Sequence, residues 1–126
     1  LITHYLEYQD RVASIRNCYN ALKENGLFFT VENFAPSNDV FKTLYLERWK
    51  NYQYRSGKGE EECQNHILRY NTEYFPITIK EQIHVMQKCG FQNVEIFWCF
   101  YMQVGIVGIK THSRKATKQD GKSKNL

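Results

Sequence analysis

Apolar residues recur at helical spacing between about Glu7 and Glu24, where Tyr8, Val12, Ile15, Tyr19 and Leu22 follow one another at steps of four, three, four and three. That spacing predicts a helix with one apolar stripe. Asn25-Gly26 ends it, the glycine being expected to take the left-handed cap conformation that a side chain resists. Leu27-Phe28-Phe29-Thr30-Val31 is almost wholly apolar and rich in aromatic and β-branched residues, which predicts a strand covered on both faces. Glu32-Asn33-Phe34-Ala35-Pro36 predicts a loop, because proline fixes its own φ and pushes the residue before it out of helical geometry.

Ser37, Asn38 and Asp39 offer caps to a second helix over about Asp39 to Tyr54. Its stripe of Phe41, Leu44, Tyr45, Arg48, Trp49 and Tyr52 is aromatic and polar, and suits a lid or an interface better than a central core. Ser56-Gly57-Lys58-Gly59 breaks that pattern. Glu60 to Asn71 resumes a weaker helix with acids in its first turn, where the helix dipole favours them. Thr78-Ile79-Lys80-Glu81 matches the capping box, Ile79, Ile83 and Met86 form the buried face of the helix that follows, and Lys88-Cys89-Gly90 ends it. Phe91 to Phe100 and Gln103 to Ile109 predict two strands, antiparallel because the link at Tyr101-Met102 is too short for a crossover.

At 126 residues with 42% hydrophobic and 15% aromatic residues, the chain holds enough core material for one domain and is neither disordered nor fibrous. No apolar run approaches the roughly 18 residues that cross a bilayer, and no signal-peptide pattern opens the chain. A soluble, cytoplasmic protein is expected, with no membrane partner. The first residue, Leu1, is not Met, so the chain reads as part of something longer.

The net charge of +4 raises nucleic acid as a partner until the charge is located. Residues 110–126 carry six basic residues against Asp120 alone, giving +5, while residues 1–109 carry 11 basic and 12 acidic residues, giving −1. This divides the chain into a nearly neutral domain, 1–109, and a basic flexible tail, 110–126. The tail is either a passive solubilising segment or a contact for nucleic acid or an acidic partner; no aromatic is interleaved in it for base stacking. Cys18, Cys63, Cys89 and Cys99 are scattered, with no CxxC pair, so neither a zinc ribbon nor another metal site is expected. Cys63 and His66 share a ligand spacing on one helix face, yet two ligands without a second pair make a poor metal site.

The order helix, strand, helices, strand, strand, together with two phrases, resembles the C-terminal half of the class I S-adenosylmethionine-dependent methyltransferases. The first phrase is Ala21-Leu22-Lys23-Glu24-Asn25-Gly26-Leu27-Phe28-Phe29, similar to the "LKPGG" turn before that family's fifth strand, with Glu24 and Asn25 in place of the proline and first glycine. The second runs from Met86 through Cys89-Gly90-Phe91 to Phe97, similar to the turn before the sixth strand. The resemblance covers about residues 1–110. It implies an α/β fold, the C-terminal half of a doubly wound, Rossmann-like sheet ending in an antiparallel hairpin, with a helical insertion at 38–75.

The resemblance also implies S-adenosylmethionine as cofactor, although the glycine-rich turn that principally binds it in the family has no counterpart here. The glycines fall at Gly26, Gly57, Gly59, Gly90, Gly105, Gly108 and Gly121. The cofactor half would come from a missing N-terminal half or a partner chain. An exposed sheet edge facing the missing strands would pair or oligomerise.

By the same resemblance the segment Ile2-Thr3-His4-Tyr5 lines the pocket near the reactive methyl, with His4 as a candidate catalytic base and Tyr5 as a substrate contact; an exposed terminal histidine is the alternative. Glu32 and Asn33, at the tip of the first strand, either orient an acceptor or serve as a cap and a turn. Arg48, Trp49, Tyr52, Tyr54 and Arg55 lie on material that the family places over the acceptor pocket. Aromatics with arginines suit a planar or anionic acceptor, or an ordinary packed helix. Two function classes follow: the acceptor-binding half of a methyltransferase whose methyl acceptor is unspecified, or a non-catalytic methyltransferase-like binding module.

Overall fold

Two strands that run in the same direction, β1 (Leu27–Asn33) and β2 (Asn93–Phe100), flank a third, β3 (Gln103–Ile109), which is antiparallel to both, giving the order β1-β3-β2. The computed structural model describes residues 2–112. Four helices complete the fold: α1 (Tyr8–Ala21), α2 (Asp39–Arg55), α3 (Glu60–Leu68) and α4 (Ile79–Lys88). The mixed α/β architecture and the terminal hairpin agree with the sequence-based expectation. The hairpin turn is made at Tyr101, whose φ of +52° lets two residues reverse the chain.

α1 and α4 pack on one face of the sheet. Ile15 from α1, Val85 and Met86 from α4, and Phe28, Phe91, Val104 and Ile106 from the sheet and its approach form the core. The capping box at Thr78 and Glu81 is present in full, with the Glu81 amide donating to Thr78 Oγ1 at 3.2 Å and the Thr78 amide donating to Glu81 Oε2 at 2.7 Å. Asn38 caps α2, its side chain accepting from the Phe41 amide at 3.0 Å. Only Gln53 of α2 is buried, consistent with a helix that serves a surface or an interface.

Three sequence expectations are corrected. β1 is not covered on both faces: Phe28, Thr30 and Glu32 point inward, whereas Leu27, Phe29 and Val31 are about half exposed, because both sheet-packing helices lie on the other side. Asn25, not Gly26, takes the left-handed conformation, at φ +61°. Gly26 is required instead by proximity, since a Cβ there would sit 2.8 Å from the Lys23 carbonyl oxygen. Lys110, placed by charge in the tail, is bound into the domain. Its amide donates to Gly26 O at 2.9 Å, and its ammonium donates to Tyr19 O and Leu22 O at 2.9 and 2.8 Å. A lysine on the last carbonyls of α1 satisfies acceptors that the helix leaves open, at the end where the dipole favours a cation. The rest of the tail from Ser113 lies outside the described residues.

No helix among the described residues is long and apolar enough to cross a membrane. Cys63 and Cys89 are buried, Cys18 is partly buried and Cys99 is exposed. Among the described residues no group of three or more His, Cys, Asp or Glu side chains could hold a metal ion.

Candidate functional site

β1 ends at a cavity of about 270 Å³. The N-terminal turn supplies His4 and Tyr5, the strand tip Asn33, and α2 Trp49 and Tyr52. His66, Arg69, Tyr70 and Tyr74 close it from α3 and the segment that follows, and the β2–β3 turn supplies Tyr101 and Met102. The walls come together because the chain leaving β1 is tied down on both sides. The Phe34 amide donates to Met102 O at 2.7 Å, and the Ala35 amide to Ile77 O at 2.9 Å. The Phe75 amide donates to His4 O, fastening the α3–α4 connection to the N-terminal turn.

Under the cavity floor lies a buried polar cluster. Glu32 is 2% exposed. It accepts from the Thr3 amide at 2.9 Å, from Thr3 Oγ1 at 2.6 Å and from Thr30 Oγ1. Those donors make it an anchor for the N-terminal turn, so it stands behind the pocket wall and not in it. His4 Nδ1 is 3.8 Å from Glu32 Oε2. Arg11, 1% exposed, donates to Phe75 O at 2.6 Å and to Gln82 Oε1 at 3.3 Å, and its charge balances that of Glu32 within the same buried region.

Burial pushes the His4 imidazole pKa down, outweighing the nearby Glu32 carboxylate, which raises it. His66 is likewise lowered, first by burial and then by Arg69 and Lys58. Burial raises the Tyr70 and Tyr74 phenols. At neutral pH both histidines and both tyrosines are therefore uncharged. The remaining charge on the wall, Arg69, is paired with Glu73 at 2.5 Å. The site is a neutral, largely aromatic cavity with a few directed polar atoms.

Of the residues singled out from the sequence, the cavity brings together His4, Tyr5, Asn33, Trp49 and Tyr52. Arg48, Tyr54 and Arg55 fall on other parts of α2 and do not line it; Lys50 Nζ lies over the Tyr54 ring at 5.7 Å. His66, Arg69, Tyr70 and Tyr74 were not anticipated. Their signal in the sequence is the aromatic density of residues 66–75, which has no helical or strand period to assign it a face. A separate open groove of about 740 Å³ runs between α2, α4 and the hairpin past Phe41, Ile83 and Cys99, and none of the anticipated residues lines it.

The glycines among the described residues have other work than cradling a nucleotide. Gly105 and Gly108 make room for the Phe97 and Phe91 rings, Gly90 for the Tyr19 ring, and Gly57 and Gly59 lie in the α2–α3 turn. None sits at a strand-to-helix turn where backbone amides would converge on a ligand. The residues described do not fit the role of principal cradle for S-adenosylmethionine.

No family model matches the sequence. The chain is similar to the carboxy-S-adenosyl-L-methionine synthase of Methylococcus capsulatus, with 26% identity over 103 residues covering 82% of this chain and 42% of the relative. The synthase of the same name from Staphylococcus epidermidis is 24% identical over 114 residues, covering 87% and 48% respectively. The chain thus spans less than half the length of these curated relatives. Among solved structures, the apo form of the S-adenosylmethionine-dependent methyltransferase SibL matches 87% of this chain and 29% of its own, with a TM-score of 0.58 at 10% identity, a likeness of fold. In its two turn phrases, its strand order and these relatives, the chain is similar to the C-terminal half of the class I S-adenosylmethionine-dependent methyltransferases.

Proposed function

We propose that this chain contributes the acceptor-binding side of an S-adenosylmethionine-dependent enzyme, with the acceptor held in the aromatic cavity beyond β1. The observation that carries the reading is the convergence of His4, Tyr5, Asn33, Trp49 and Tyr52 on one cavity at the carboxyl end of a strand, the edge where open α/β sheets place their ligands. The chain's own residues bind and orient: the aromatic walls exclude water and fix a planar group, while Asn33 and His4 supply directed polar atoms. When bound, S-adenosylmethionine supplies an electrophilic group on sulfur; in this reading its principal contacts lie outside the described residues. The bare face of the sheet, with Leu27, Phe29, Val31 and Phe97 about half exposed, is the place for a further layer. The rest of a longer protein, a partner chain or a second copy would supply it.

The relatives' name favours a second reading, in which S-adenosylmethionine is itself the molecule modified and the cavity holds the group donor. A non-catalytic binding module is the third reading, supported by the lack of a nucleotide cradle among the described residues. One experiment separates them. Calorimetry with S-adenosylmethionine is performed on this chain and on the product of its reading frame extended upstream, followed by incubation of each with methyl-labelled cofactor and a small-molecule extract. The proposal expects binding and label transfer only with the extended product, and loss of transfer in Tyr52→Ala without loss of cofactor binding. Micromolar cofactor binding by the present chain alone, or transfer indifferent to Tyr52, would overturn it.

A further inference from the structure

The aromatic stripe that the sequence places on α2 is only partly used by the acceptor cavity. Trp49 and Tyr52 line that cavity, whereas Tyr45 and Phe41, one and two turns before Trp49, line the separate groove between α2, α4 and the β2–β3 hairpin. Phe34 and Val104, both almost fully buried, form its floor, with Cys99, the cross-strand partner of Val104, beside them. One wall is Phe41 and Tyr45 and the other is Ile79 and Ile83, each pair spaced by one helical turn. The Tyr101 ring extends the first wall, 6.4 Å from that of Tyr45, and stands between this groove and the acceptor cavity, lining both. Phe41 and Tyr101 remain 48% and 44% exposed, apolar surface that the fold itself leaves uncovered.

The rim is polar on one side alone. Lys80, His84 and Gln87 follow one another along α4 at steps of four and three, on the helix face that also carries Ile83. Among the described residues no Asp or Glu lines the groove. Glu81, next to Lys80 in sequence, is held by the Thr78 amide in the capping box. A partner lying along α4 therefore meets the Lys80 ammonium with no carboxylate of the groove to compete for it.

The shape favours a polypeptide over a small molecule. The groove is open, so a small ligand in it would keep much of its surface in water, whereas small-molecule pockets bury most of theirs. A polypeptide brings a second surface of its own. Between Lys80 and Gln87 α4 rises about 10 Å, two helical turns, and the apolar pairs on both walls have the one-turn spacing that meets the i, i+4 ridge of another helix. We propose that this groove is a docking site for an amphipathic helix of a partner protein. Apolar residues of that helix at i, i+4 and i+7 sit between Phe41, Tyr45 and Ile83, and acidic residues on its flank lie along Lys80 and His84.

Cys99 reports occupancy without an added label. It is exposed, while Cys63 and Cys89 are buried and Cys18 is partly buried, so iodoacetamide reaches Cys99 first and mass spectrometry of the digested chain follows its alkylation. The probes are synthetic helical peptides of about 15 residues. The first has leucines at i, i+4 and i+7 and glutamates along one flank. The second has lysines in place of those glutamates, and the third has the composition of the first with its leucines scattered around the helix. The acidic peptide should slow Cys99 alkylation about ten-fold at saturation and bind about five-fold more tightly than the lysine peptide, and the scattered peptide should give no protection. Phe41→Ala, at a half-exposed position outside the core, should weaken the acidic peptide about ten-fold. Lys80→Glu should reverse the preference between the acidic and lysine peptides. Failure of the acidic peptide to protect Cys99, equal protection by the scattered peptide, or unchanged affinity in Phe41→Ala would overturn the proposal. Protection that rises with the concentration of the chain alone would replace the partner helix with a second copy, and decanoate protecting as well as the peptide would replace it with a small apolar anion; either result removes the proposal.

Discussion

The Tyr19 ring occupies the space where a side chain on Gly90 would begin: a Cβ built at Gly90 lies 2.5 Å from Tyr19 Cζ. The same Tyr19 ring packs edge-on to Phe91, with centroids 5.0 Å apart, and lies under the Lys110 ammonium at 4.7 Å. The end of α4, the end of α1 and the exit of β3 are thus joined through one tyrosine.

Gly90→Ala should destabilise the protein by about 3 kcal/mol, because it adds a steric conflict with a packed ring to the strain of a φ at +123°. Gly57 also has a positive φ, +86°, closer to the left-handed region that L-residues visit, and nothing within 4 Å of its Cβ position, so Gly57→Ala should cost only about 1 kcal/mol. Urea denaturation of both variants measures the difference, which combines the conflict with the Tyr19 ring and the more strained φ of Gly90. Equal losses would mean that Tyr19 yields its place freely.

Lys110→Met keeps the length of the side chain and removes the two bonds to Tyr19 O and Leu22 O together with the cation over the Tyr19 ring. A loss of about 1–2 kcal/mol is expected, read as a lower denaturation midpoint at an unchanged slope.

Thr78→Ala removes the hydroxyl that accepts from the Glu81 amide and leaves the first turn of α4 with an unmet donor. The expected cost is about 1 kcal/mol. Thr78→Ser, which keeps the oxygen, should recover most of it, read from thermal denaturation of both variants beside the wild type.

Acid should weaken the fold through His4 and His66. Both have folded-state pKa values pushed below the ordinary 6.5, so below pH 6.5 the unfolded chain binds protons that the folded chain refuses, and stability falls with pH. The loss begins near 6.5 and ends once the pH has passed below the lowered folded-state values. His66→Asn, tested by denaturation at a series of pH values from 7.5 downward, should flatten that slope in part. A slope unchanged by it would assign the whole effect to other groups.

On α2, Tyr52 lines the cavity although it is 59% exposed, and Arg55 does not line it. Tyr52→Ala should weaken the binding of an aromatic ligand, and Arg55→Ala should leave it unchanged. Both should keep stability within about 0.5 kcal/mol, as exposed positions do. Parallel titrations and melting curves check the pair.

The amino-acid sequence alone was enough to read the elements and the antiparallel hairpin, because these rest on local physics. The apolar stripe of α1, the Thr78–Glu81 capping box and the short link at Tyr101-Met102 each act within a few residues of chain. It also marked His4, Tyr5, Asn33, Trp49 and Tyr52, through the resemblance and through residue type. Long-range packing set which face of α2 meets the strand tips, and so separated Tyr52 from Tyr54 and Arg55, neighbours that a stripe of mixed polarity cannot sort. It alone drew Tyr70 and Tyr74 into the cavity, since an aperiodic connection carries no facing signal. Glu32 shows the reason most plainly. At a strand tip a carboxylate can meet a ligand or hold the chain, and the outcome is set by Thr3, 29 residues away in sequence, whose amide and hydroxyl reach it only when the N-terminal turn folds over β1.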